Sequence, residues 1–221
     1  MEQSLRVVEV LERSGRGLNL TWEVREGIAF HSKVRESIAA DAWGVASSLE
    51  GQILRVADSV AYVNHDVEDA ISAGLIQEGD LPGSVVAGLG SSGSQRINTM
   101  VVDIITNCWS VAEGRLPAHA EAGDLAIRPS DDMLSLMDEL REFLFQRVYL
   151  SDFAQQQTAR ATYLIRQLFT YFMEHAEALP PELAANPRSE PVERLVCDHI
   201  AAMTDRYALR TFLELFIPEG S

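Results

Sequence analysis

The apolar residues of this chain recur at steps of three and four from one end to the other, and no stretch alternates apolar and polar with the two-residue period of a strand. Leu5, Val8 and Leu11 start the pattern, and Gly15 and Gly17 end that helix. Thr21 is placed to cap WEVREGIAFH, and Ser47 with Glu50 forms an S-x-x-E capping box. The box opens a long helix over 47–73 that Gly74 can stop. A Gly-rich stretch, 79–93, precedes a helix from Ser94 to Glu113. Further helices are expected from the Ser130 cap to Tyr149 and from the Ser151 cap to Leu179, with Ser189 and Thr204 capping the last two. The expected fold is all-α, with about eight helices.

Composition narrows the function classes. The net charge is −15, so a broad basic surface for duplex DNA is not expected. No apolar run reaches the ~18 residues of a membrane span, and a signal peptide is not expected. Cys108 and Cys197 lie far apart among apolar neighbours, without a C-x-x-C pair. That spacing excludes a zinc finger or a disulfide framework and suits a reducing cytoplasm.

The helix over 47–73 carries the most chemistry. Asp58, Tyr62 and Asp66 stand at i, i+4 and i+8, with Arg55 one turn before Asp58. They cover an arc of about 80° over roughly 12 Å of helix. A carboxylate can bind a metal, and a phenol with a second carboxylate can hydrogen-bond sugar hydroxyls. Spacing alone favours a plainer reading, a solvated face with an Arg55–Asp58 ion pair. A second line, Arg141, Phe145 and Tyr149 in LREFLFQRVYL, has the same spacing. It reads either as a core aromatic stripe or as an Arg gripping phosphate beside an aromatic face.

The ordered motifs carry a resemblance. EQSLRVV, GLNLTWEVREGI, LEGQI, ADSVAYVNHDVEDAI and AMTDRYA follow one another along nearly the whole chain. The series closely resembles the bacterial deoxyguanosine triphosphate triphosphohydrolases of the HD-domain superfamily. The resemblance implies a partial HD-like helical bundle over 1–114, and a helical extension over 115–221 that continues the nucleotide pocket and an oligomer surface. It implies cleavage of a deoxynucleoside triphosphate to deoxynucleoside and tripolyphosphate, with a divalent metal ion as cofactor and a homo-oligomer as the working form. Asp58 matches the last metal ligand of the family's H…HD…D set. Tyr62 and Asp66 match residues at the deoxyribose, the phenol against carbon 2′ and the carboxylate on the 3′ hydroxyl. Arg141 matches a triphosphate contact and Tyr149 a residue beside sugar and base. Lys33, the chain's one lysine, is a further candidate phosphate contact, a solvated surface lysine being the alternative.

The sequence also departs from the family. The H…HD half of the signature, and the catalytic residues that follow it, are expected upstream of the segment that opens this chain. No catalytic residue is therefore assigned here, and this chain alone is expected to have little activity. His65-Asp66 is a poor substitute dyad, because neighbours on a helix diverge by about 100°. The alternative function is a non-catalytic helical module that binds nucleotide or oligomerises. Gly88-x-Gly90-x-x-Gly93 copies the dinucleotide fingerprint but lacks a βαβ context, so a loop between helices is expected there, at most with a short strand over 85–87.

Overall fold

A computed structural model of the chain describes residues 2–31, 46–112, 127–184 and 189–218. The described residues are helices and their connections, as the periodicity requires. They form two compact units, Met1–Val10 with Leu18–Ser151, and Leu11–Gly17 with Asp152–Ser221. The 114/115 boundary expected from the sequence lies outside the described residues.

In the first unit, α1 (Glu2–Arg6) runs on into a π-helical turn over Val7–Leu11. Then come α2 (Trp22–Phe30), α3 (Leu49–Ser72), α4 (Gly83–Leu89), α5 (Gly93–Ala112) and α6 (Asp131–Leu144). A second π-helical turn, Phe145–Tyr149, extends α6. Val60, Val63, Val67 and Ala70 of α3 face Val85 and Leu89 of α4, Met100 of α5, and Met133, Met137, Leu140 and Leu144 of α6. Their steps of three and four put each set on one helix stripe. Full burial of each Val, Leu or Met side chain here stabilises by roughly 1.5–3 kcal/mol before entropy is counted.

The second unit holds α7 (Asp152–Glu174), α8 (Val192–Ala201) and α9 (Asp205–Phe216). Leu168 and Phe172 of α7 pack with Leu179, Leu195 and Val196, and Ala208, Phe212 and Leu215 of α9 cover them.

The caps differ from the sequence reading in instructive ways. Ser130 and Thr204 accept from Met133 N–H and Tyr207 N–H, as expected. At α3 the cap is Ser48, which accepts from Gly51 N–H at 3.2 Å. Ser47 instead gives its N–H and hydroxyl to the Glu26 carboxylate of α2, at 3.0 and 2.8 Å. A partner distant in sequence thus takes the first serine, and the helix starts one residue later. Thr21 flanks α2 without a side-chain cap bond, and Pro191 rather than Ser189 flanks α8. The Gly-rich stretch is not a simple loop, because α4 forms inside it and residues 85–87 are helical rather than extended.

Candidate functional site

The long helix α3 supplies one wall of the site. Its inner stripe buries Val56, Val60, Val63 and Val67, which turns the opposite line outward. Asp58 is exposed on that outer line, Tyr62 is exposed one turn on, and Asp66 is half-buried one turn further.

The facing wall comes from the end of α6. Across an unbroken α-helix, Arg141 and Tyr149 would stand about 80° apart. The π turn over Phe145–Tyr149 takes in one extra residue, sealed by the Leu150 N–H to Phe145 carbonyl bond at 3.1 Å. That insertion brings Tyr149 to within about 20° of the Arg141 line. Phe145 packs edge-on against the Tyr149 ring, with centroids 6.2 Å apart.

Three polar tips meet between the walls. The Tyr149 hydroxyl donates to the Asp66 carboxylate. The Tyr62 hydroxyl lies 3.1 Å from that of Tyr149. Burial pushes the Asp66 carboxyl above its ordinary value, with the Asp69 charge adding to the rise, while hydrogen bonding to Tyr62 and the nearby His65 oppose it. Burial also raises the Tyr62 phenol, and the negative Asp66 and Asp58 reinforce that rise. A phenol held neutral remains a hydrogen-bond donor, and a carboxylate offers about four lone-pair positions, more than two tyrosines use.

Arg141 is half-buried, with Nη2 3.5 Å from Asp138 Oδ1 one turn earlier. A pair this exposed contributes at most about 1 kcal/mol. Arg55 is half-buried three residues before Asp58. Lys33 lies outside the described residues. The structure therefore brings Tyr62, Asp66 and Tyr149 together, aligns Arg141 with Tyr149, and leaves Asp58 on the same line one turn from Tyr62.

The donor set does not by itself suit a divalent metal. Among the described residues, no three or more His, Cys, Asp or Glu side chains gather as a metal would require. Asp58 can contribute a hard carboxylate ligand.

One part of the site region was not legible from the sequence. Arg96 of α5 is 2% exposed, and its Nε donates to Asn64 Oδ1 of α3 at 3.0 Å. Its Nη1 donates to the Ser91 carbonyl at 3.1 Å. Asn64, 1% exposed, donates through Nδ2 to the Val60 carbonyl at 2.8 Å and toward Met100 Sδ at 3.4 Å. Burial lowers the Arg96 pKa from its usual range, and Glu68 and Glu78 partly restore it. A lone Arg beside a Gly-Ser run carries no periodic signal, so only the tertiary packing reveals it as buried.

The same packing explains the G-x-G-x-x-G string without a nucleotide. Gly90 has φ of +110°, which L side chains rarely adopt. A Cβ on Gly88 would come within 2.5 Å of Leu136 Cδ1, and one on Gly93 within 1.8 Å of Glu68 Oε1. Gly88 lets α4 pack closely against α6 and Gly93 lets α5 start close to α3, while Gly90 turns the chain between α4 and α5.

Residues 127–214 match the family described as a phosphohydrolase-associated domain. A deoxyguanosinetriphosphate triphosphohydrolase-like protein of Caldanaerobacter subterraneus is 39% identical over 217 residues, covering 98% of this chain and 58% of the relative. One from Desulfatibacillum aliphaticivorans is 40% identical over 223 residues, covering 98% and 61%. One from Bordetella pertussis is 35% identical over 248 residues, covering 97% and 63%. The chain thus spans about 60% of the length of the relatives it matches.

Proposed function

We propose that this chain, similar over nearly its whole length to deoxyguanosinetriphosphate triphosphohydrolase-like proteins, belongs with them and supplies the sugar side of a pocket for deoxynucleoside triphosphates. The observation that carries the proposal is the meeting of Tyr62, Asp66 and Tyr149. In this reading the Asp66 carboxylate accepts from the 3′ hydroxyl, in company with the Tyr149 hydroxyl. The Tyr62 ring packs at carbon 2′, where a ribose hydroxyl clashes with it. Arg141, on the Tyr149 line, grips the triphosphate. The reaction is hydrolysis of the bond between sugar and triphosphate, giving a deoxynucleoside and tripolyphosphate.

Asp58 would provide one ligand to a divalent metal, which would supply Lewis-acid chemistry at the phosphate next to the sugar. The described residues do not complete that centre, so no step is derived through it. The proposal gives this chain nucleotide binding with little turnover of its own. A homo-oligomer is part of the proposal by analogy with the family.

The test is a binding and turnover assay on residues 1–221 with manganese and 2′-deoxyguanosine triphosphate. Saturable binding without rapid tripolyphosphate release supports the reading. Rapid metal-dependent release contradicts the assignment of low activity, and loss of neither binding nor turnover in Asp66→Asn contradicts the pocket.

A further inference from the structure

The Arg96–Asn64 contact does more than fill the core. Asn64 lies midway between Tyr62 and Asp66 on α3, about 200° around the helix from each. Its side chain points inward while theirs point to the Tyr149 wall. The rest of the inner stripe near this level is Val60, Val63 and Val67, whose non-directional contacts tolerate small helix rotations. A hydrogen bond from a buried guanidinium does not, because its donors are fixed in a planar fork. The fork is itself anchored at the Ser91 carbonyl, just before α5. Burying a charge where an apolar pair would pack is costly, and in some proteins such groups are retained because they set register or orientation.

We propose that Arg96 is a positioning residue: acting through Asn64, it sets the rotation of α3 that presents Tyr62 and Asp66 to Tyr149. The consequence for ligand binding rests on the sugar-pocket reading above, but the geometric claim stands apart from it and is measured without ligand.

The experiment uses residues 1–221 with tyrosine rings labelled for NMR and assigned by single Tyr→Phe changes. The wild-type chain is expected to show a ring-to-ring Overhauser contact between Tyr62 and Tyr149. Asn64→Ser is the decisive variant. Its hydroxyl can bond the Val60 carbonyl, as Ser59 bonds that of Arg55 at 2.9 Å, but it is too short for Arg96. The contact is expected to fall at least threefold in Asn64→Ser, with cooperative unfolding retained. A folded Asn64→Ser with undiminished contact overturns the proposal. If Asn64→Ser does not fold, Arg96→Lys takes its place, since one ammonium cannot span Asn64 and Ser91 together; an undiminished contact there likewise overturns the proposal. Failure of the wild-type chain to bind nucleotide leaves this readout intact and counts only against the pocket.

Discussion

Tyr149 donates its hydroxyl hydrogen to the carboxylate of Asp66, a residue 83 positions earlier in the chain. The bond ties the π turn that ends α6 to the outer line of α3. Everything assigned to the sugar pocket depends on that junction.

Removing the donor should therefore weaken the junction without collapsing the core. Tyr149→Phe keeps the ring against Phe145 and loses only the hydroxyl. The expected cost is about 1 kcal/mol, or a lowering of Tm by about 2–4 °C. Calorimetric melting checks it, and an unchanged Tm would mean the bond contributes nothing net.

Asp66 also gives the protein a pH signature. Its folded pKa is raised above the ordinary 3.8, with burial the first cause. The folded state then holds the proton more tightly than the unfolded chain does. The stabilisation from this group is fully present below 3.8 and is lost as pH rises through the raised value. In Asp66→Asn that part of the pH dependence should vanish. Urea unfolding of both forms across the carboxylate range checks it, and parallel profiles would contradict it.

The glycines of the G-x-G-x-x-G string should differ in their tolerance of a methyl group. Gly90→Ala forces a side chain onto a φ of +110° and puts Cβ 2.6 Å from Gln95 Cβ. A cost of about 3 kcal/mol or more is expected. In Gly93→Ala the obstacle is the far end of the Glu68 side chain, which can swing aside, so the cost should stay below about 1 kcal/mol. Equal costs in denaturant titrations would contradict the packing account.

Tyr62 should carry the discrimination against ribonucleotides. Tyr62→Ala is expected to narrow the affinity ratio of 2′-deoxyguanosine triphosphate to guanosine triphosphate by about tenfold or more. An unchanged ratio would remove Tyr62 from the carbon 2′ side of the sugar.

Much of this was visible in the sequence because helices write their period into it. The 3.6-residue pattern located α3, α5 and α6, and the Asp58, Tyr62, Asp66 spacing already put the three on one line. Two kinds of feature were hidden. The π turn at Phe145–Tyr149 breaks the 3.6-residue period by a single residue, too little to register, yet it decides where Tyr149 points. The Ser47–Glu26 and Arg96–Asn64 bonds join residues that only the tertiary fold brings together. Local pattern predicts a cap at Ser47 and singles out nothing at Arg96, because it contains no information about those partners.

The central claim is that Asp66 holds the 3′ hydroxyl of a deoxynucleotide. Titration calorimetry of residues 1–221 with 2′-deoxy- and 2′,3′-dideoxyguanosine triphosphate tests it most directly, in the wild type and in Asp66→Asn. The account predicts roughly tenfold tighter binding of the deoxynucleotide by the wild type, a difference of about 1.4 kcal/mol that disappears in the variant. Equal binding of the two nucleotides by the wild type, no binding of either, or an undiminished preference in Asp66→Asn would contradict it.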